Sequence, residues 1–360
     1  MNESTGGSSG RIVFAGAGYA GLHVALSLTS KLHNHPEMTL TLVDRHDYRQ
    51  ALTELPRVAG DTRAADAVRT PLQDMLATRV RFVRTEINGF DLAGRQLLTA
   101  AGPIGWRRLV LALGSQPNDF AIPGLAQRAL SLYSASDAER VWAAVSKALD
   151  AAAAATGPER QRRLATVVVG GGGATGVELA GELAEMLPEV ASGHGLAPDR
   201  PAVLLVEAGP AILAGSSPQL IDNATRILSD LGVQVRTNAM VATATEEGFR
   251  LEGGQLVEGG VFVWAGGVKA PDLVVGSGLP IGHNGRVKVD RHLRVLDHPE
   301  VYVAGDLASV VDPRTGHVLP PLAHPAHPLA PGAYPQTADR PQEQSNRMST
   351  QVSAWKRSPG

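Results

Sequence analysis

The 360-residue chain contains no cysteine. That excludes disulfide staples, thiolate metal sites and any redox-active disulfide. No run of 18 or more apolar residues occurs, so no segment reads as a membrane-spanning helix. Charge of neither sign dominates. The 33 Lys and Arg stand against 35 Asp and Glu, a formal net charge of −2, which gives no basis for a nucleic-acid surface. Residues 1–10, MNESTGGSSG, lack the charged and apolar regions of a signal peptide and read as a flexible leader. The expected location is therefore cytoplasmic. What remains is ordinary globular material, 43% hydrophobic and long enough for two domains.

The most informative stretch is RIVFAGAGYAGLHVALSL, residues 11–28. An apolar run of strand length, Arg11 to Ala15, leads into Gly16, Gly18 and Gly21 in the order G-x-G-x-x-G, and an apolar helix follows. The first glycine permits a tight turn, the second lets backbone approach a pyrophosphate, and the third seats the helix against the strand. The free N–H groups and positive dipole end of that helix favour phosphate. The next strand, Thr39 to Val43, ends at Asp44, 23 residues beyond Gly21. That is close to the spacing at which a carboxylate accepts hydrogen bonds from an adenosine ribose.

The pattern then returns. Ala165 to Val169 predicts a strand, GGGGATG a turn carrying Gly171, Gly173 and Gly176, and VELAGELAEML a helix. The following strand, Ala202 to Val206, ends at Glu207, 31 residues past Gly176, with a loop insertion accounting for the longer spacing. Between the two units, Pro71 to Leu76 predicts a short helix and Val80 to Ile87 a strand with which Gln96 to Thr99 pairs. Leu109 onward predicts a buried strand ending at Gly114, and Ser136 to Ala155 a helix anchored by Trp142. After the second unit, Pro218 to Leu231 predicts a helix. VQVRT, GFRLEG and QLVEGGVFVWAG predict a small antiparallel sheet, with Val261 to Trp264 a buried strand, and Val287 to Val289 and Val301 to Ala304 predict short strands. The expectation is an α/β protein with two Rossmann-like dinucleotide-binding domains, each a mainly parallel sheet with helices and a small antiparallel sheet. From Leu322 the composition shifts to a proline-rich tail that reads as disordered, with six prolines in its 39 residues.

With GAGYAGLHVALSL, LVLALGSQPN, VVVGGGGATGVELAGELAE, LLVEAGP, VFVWAGGVKAP and VYVAGDLASV in view, the chain resembles the type II NADH dehydrogenases. These are single-subunit NADH:quinone oxidoreductases, and the likeness covers roughly residues 11–321. The resemblance implies an FAD-binding domain at 11–118 and 285–321, an NADH-binding domain at 119–284, and a tail at 322–360. Gly16, Gly18, Tyr19, Ala20, Gly21, Asp44 and Arg45 would hold the ADP half of FAD. Gly114 would lie beside FAD, and Asp306 would bond its ribityl–phosphate region. Gly171, Gly173, Thr175, Gly176 and Glu207 would hold NADH, and Gly266 and Gly267 would let backbone approach the nicotinamide or the flavin. Glu178, at the start of the second helix, would lie near the nicotinamide and flavin as the catalytic carboxylate. A carboxylate at Glu207 would repel a 2′-phosphate, so NADH is expected over NADPH. Trp264 is expected in the core. No metal is implied, and His317, His324 and His327 read as solvent-exposed. The missing cysteines speak against thioredoxin, glutathione and lipoamide reductase types and against sulfide:quinone oxidoreductases.

One departure stands out. After the LPP of Leu319 to Pro321 the family continues with a helix covering the flavin, then with amphipathic helices that dock on the membrane and help form a dimer. Here Pro325 and Pro328 would break that helix, His324 replaces a glutamine, and the tail has no apolar face. Leu113 also replaces a threonine common at that point. A peripheral place on the cytoplasmic membrane face and a homodimer therefore lack their usual anchor. Two alternatives stay open on the sequence. One is a soluble NADH:acceptor reductase serving a small protein or oxygen. The other is a nucleotide-binding protein without a complete flavin or quinone site.

Overall fold

The structure, a computed structural model, describes residues 10–60, 66–312 and 315–319. The expectations for the leader at 1–9, for the tail at 322–360 and for His324 and His327 lie outside those residues. The chain divides into two compact units. The first holds 10–50, 69–116, 268–312 and 315–319. The second holds 51–60, 66–68 and 117–267. Among the described residues, no helix is long and apolar enough to cross a membrane.

The first unit is built on a six-stranded sheet. Its order is Arg294–Val295, His298–Val303, Arg108–Leu111, Arg11–Ala15, Thr39–Asp44, Val80–Arg84. All pairs are parallel except the one at the 294–295 edge. The continuous apolar runs are explained by burial on both faces. Alternation sends Val13, Ala15, Val43, Leu109, Leu111, Val301 and Val303 into one core with Val274 and Leu307. It sends Ile12, Phe14, Leu40, Leu42 and Val110 into another, with Leu22 and Ala25 of the helix Tyr19–Lys31.

Two local expectations change. The strand expected over 80–87 stops at Arg84, and Ile87–Asp91 begins a separate antiparallel sheet with Gln96–Thr99 and Ile104–Gly105. Gln96–Thr99 therefore pairs with 87–91. In place of a helix at 71–76 there is a single 3-10 turn, Leu72–Asp74, because Arg69–Pro71 is drawn into a ladder with Tyr48–Gln50.

The second unit has a five-stranded parallel sheet in the order Leu130–Ser131, Val261–Trp264, Thr166–Gly170, Ala202–Val206, Gln234–Arg236. Gln234–Arg236 is thus not part of the antiparallel sheet expected from VQVRT. The helix Pro218–Asp230 before it makes a crossover, which returns the chain parallel to Ala202–Val206. The antiparallel sheet is Val241–Ala244, Gly248–Leu251 and Leu256–Glu258. It covers one face of the parallel sheet, with Phe249 and Val257 against Val168, Leu204 and Val206. Helices cover the other face. Val177, Leu183 and Leu187 of Ala174–Gly193 pack there with Val141, Val145 and Leu149 of Ala135–Ala154. Ser134 caps the latter helix, its Oγ accepting from Asp137 N at 3.0 Å. Leu55, Val58 and Ala59 of the short helix Leu55–Gly60 join this core. That explains why 51–60 and 66–68 pack in the second unit although the sequence groups them with 11–118.

Candidate functional site

The two glycine loops are built alike, bond for bond. In the first unit Gly16 N donates to Val43 O at 2.8 Å, and Ala112 N to Ala15 O at 2.8 Å. In the second Gly171 N donates to Val206 O at 2.8 Å, and Ala265 N to Gly170 O at 2.7 Å. Gly16 has φ +106° and Gly171 φ +109°, the region in which a side chain is strained. A Cβ on Gly21 would overlap the carbonyl oxygen of Gly16, and one on Gly176 that of Gly171. Both helices start at a glycine cap, Gly18 or Gly173, with no side-chain cap and no acid in the first turn. Both caps are exposed, and nothing described lies within 4 Å of where their Cβ would be. Both helix ends are thus open at their cap residue and have no side-chain cap, a helix terminus of the kind that receives a phosphate.

The two acids also correspond. Asp44 Oδ2 accepts from Ala17 N at 2.7 Å and Oδ1 from His46 N at 2.8 Å. Glu207 Oε2 accepts from Gly172 N at 2.6 Å and Oε1 from Gly209 N at 2.6 Å. Each carboxylate is anchored by backbone at the end of its strand and beside its loop, where a ribose diol would lie.

In the first unit the remaining expected residues converge, with one exception. Gly305 has φ +74°, and a Cβ there would meet Ala20 at 3.0 Å, so the turn carrying Asp306 lies on the first turn of the loop helix. Ser115 Oγ donates to Asp306 Oδ2 at 3.0 Å, which brings the segment of Gly114 to the same place. The Arg49 guanidinium lies 4.8 Å over the ring of Tyr19, itself 49% exposed. Its Nε is buried without a hydrogen-bond partner among the described residues. An unsatisfied cationic donor beside an uncapped helix suits an anionic ligand. These features fit the ADP half and ribityl chain of FAD. Arg45 is the exception: it is exposed and pairs outward with Glu86 at 3.6 Å.

In the second unit Gly171 abuts Ala265 and Gly266, so the WAGG segment meets the loop. Gly267 O accepts from Asn118 N at 2.9 Å, and Thr175 is exposed at the helix start. Trp264 is half-buried, packs edge-on to Phe249, and donates from Nε1 to Asn118 O at 2.8 Å.

Glu178 is in the second turn of Ala174–Gly193, one turn later than expected. Burial, reinforced by the charges of Glu182 and Glu54, pushes its carboxyl up to about 7. Glu182, one turn on, is also raised by burial and by Glu185 and Glu54, with Arg57 opposing. Glu54 and Arg57 pair at 4.0 Å and line a cavity of about 160 Å³ with Ala67 and Val68. A carboxyl that titrates near neutrality can hold and release a proton at physiological pH.

Arg49 and Glu54 lie in no motif of the sequence, while Ser115 in LVLALGSQPN and Glu182 in VVVGGGGATGVELAGELAE lie within motifs that do not single them out. Only Ser115, next to Gly114, lay beside a residue already singled out.

Two loop–helix units, each with an anchored acid, define a two-dinucleotide oxidoreductase scaffold. The chain belongs to the pyridine nucleotide-disulphide oxidoreductase family, whose profile matches residues 10–330. With no cysteine, it carries no disulfide of the kind in the family's name. It is 27% identical over 317 residues to the type II NADH:quinone oxidoreductase of Staphylococcus haemolyticus, covering 87% of this chain and 78% of that one. It is 28% identical over 317 residues to the Staphylococcus aureus protein of that name. In three dimensions it matches NDH2 from Plasmodium falciparum, solved in complex with NADH, at a TM-score of 0.75 and 21% identity. That match covers 83% of this chain but only 64% of the Plasmodium chain.

Proposed function

We propose that the protein is an FAD-dependent NADH dehydrogenase that passes electrons to a quinone. The carrying observation is the duplicated loop–acid arrangement, with Asp306 and Ser115 beside the first copy only. That asymmetry supports FAD at the first copy, where a ribityl chain needs a further acceptor, and NADH at the second. When bound, FAD supplies the hydride acceptance and onward electron transfer that no side chain of this chain offers. The chain's own contribution is placement and charge. The Gly18 and Gly173 helix ends receive the pyrophosphates, Asp44 and Glu207 the riboses, and Asp306 the ribityl–phosphate region. Glu178 holds a proton close to neutral pH. The quinone assignment is supported by the names of the Staphylococcus relatives.

The test is anaerobic. Purified protein should be yellow and should bleach on addition of NADH, and menadione or a ubiquinone analogue should restore the colour. Bleaching that only oxygen or a small redox protein reverses would replace the quinone with that acceptor.

Glu207 makes the nicotinamide cofactor testable separately. Its carboxylate, fixed by two backbone donors, would face a 2′-phosphate with like charge at close range. NADH is expected to have a Michaelis constant at least roughly tenfold below that of NADPH, a difference of about 1.4 kcal/mol. Glu207→Gln should narrow the gap chiefly by improving NADPH. A lower constant for NADPH with the native protein contradicts the assignment.

A further inference from the structure

Arg286 lies in NGRVKV, a turn-rich polar stretch in which a cation ordinarily faces water. Here it is 8% exposed. Its Nε donates to Asp306 O at 2.9 Å, its Nη1 to Leu319 O at 2.7 Å, and its Nη2 to Ala308 O. A buried guanidinium is tolerated where its donors are taken up, and the planar fork holds several acceptors in fixed relation. The carbonyls of Asp306 and Ala308 belong to the turn that presents the Asp306 carboxylate, while Leu319 heads the LPP segment. Asp306 is therefore gripped twice, at its backbone carbonyl by Arg286 and at its carboxylate by Ser115.

We propose that Arg286 is the positioning residue of the flavin site. It aims the Asp306 carboxylate by clamping the turn on both sides, and it ties that turn to the carbonyl of Leu319. The inference rests on the proposal that the first unit binds FAD. Arg286 has no motif, and its effect passes through Asp306.

The test uses full-length protein stripped of flavin, as native chain and as Arg286→Lys, Arg286→Gln, Ser115→Ala and the Ser115→Ala/Arg286→Lys double variant. FAD affinity is read by quenching of flavin fluorescence, and NADH affinity at the second unit reports on folding within the same molecule. Lysine keeps the charge and loses the fork. Arg286→Lys should therefore weaken FAD binding roughly tenfold to hundredfold, with NADH affinity unchanged within about twofold. Arg286→Gln should lose at least as much and serves if the lysine variant does not accumulate. The double variant should lose less than the product of the single losses, because both residues act through Asp306. Native FAD affinity in a folded Arg286→Lys or Arg286→Gln protein overturns the inference, and so do losses that multiply fully. Failure of the native chain itself to bind FAD overturns the underlying function instead.

Discussion

Gly21→Ala is expected to give protein that keeps no FAD through purification, and Gly176→Ala protein that keeps FAD but is not reduced by NADH. In each loop the added methyl would overlap a carbonyl oxygen of the same loop, Gly16 O or Gly171 O. The backbone has little room to yield. Gly16 and Gly171 are each pinned to the neighbouring strand by N–H donation, and the next N–H is held by Asp44 or Glu207. The loop must open to admit the methyl, and opening turns the helix N–H groups away from the phosphate. The expected loss is on the order of a hundredfold or more in Kd, about 3 kcal/mol. Released flavin per chain and NADH titration check the two variants. Stoichiometric FAD in Gly21→Ala would contradict the binding mode, as would native NADH affinity in Gly176→Ala.

Glu178→Gln is expected to lower turnover by about two to four orders of magnitude, the range for loss of a general acid–base group. The native kcat–pH profile should bend near pH 7, where the carboxyl titrates, and the bend should vanish in the variant. Stability gives an independent readout. Burial first, then Glu182 and Glu54, favours the neutral form, so the folded pKa stands above the ordinary 4.5. The contribution of this group to stability is fully present below pH 4.5 and is lost as pH rises through about 7. Relative to Glu178→Gln, the native protein should lose on the order of 1–3 kcal/mol across that window. A parallel pH dependence of the two proteins would show that Glu178 does not titrate there.

The glycine loops and their acids were legible because each rests on local chemistry: a strand, a turn that only glycine allows, and a carboxylate at a strand end. Apolar runs gave the buried strands for the same reason. What escaped depends on contacts distant in sequence. Gln234–Arg236 looks alternating in isolation and becomes parallel only because the helix before it crosses over. The segment around Leu55, Val58 and Ala59 sits in the second unit's core through residues more than 70 positions away. Arg286 reads as a surface cation until the carbonyls of Asp306, Ala308 and Leu319 are placed around it. Glu178 was visible as a residue, but its raised pKa was not, since it comes from burial in the folded chain, reinforced by the charges of Glu182 and of Glu54, which is distant in sequence. Arg45 shows the reverse: proximity to Asp44 in sequence drew it into the expected site, while its side chain turns to Glu86.

The most direct measurement of the central claim is a two-stage anaerobic titration of the native full-length protein, monitored by flavin absorbance. Reconstitution should bind one FAD per chain. NADH should then bleach the bound flavin within the mixing time of a turnover assay, and menadione should restore it. A chain that binds FAD no better than Gly21→Ala, or whose flavin is bleached no faster than free FAD, would contradict the account.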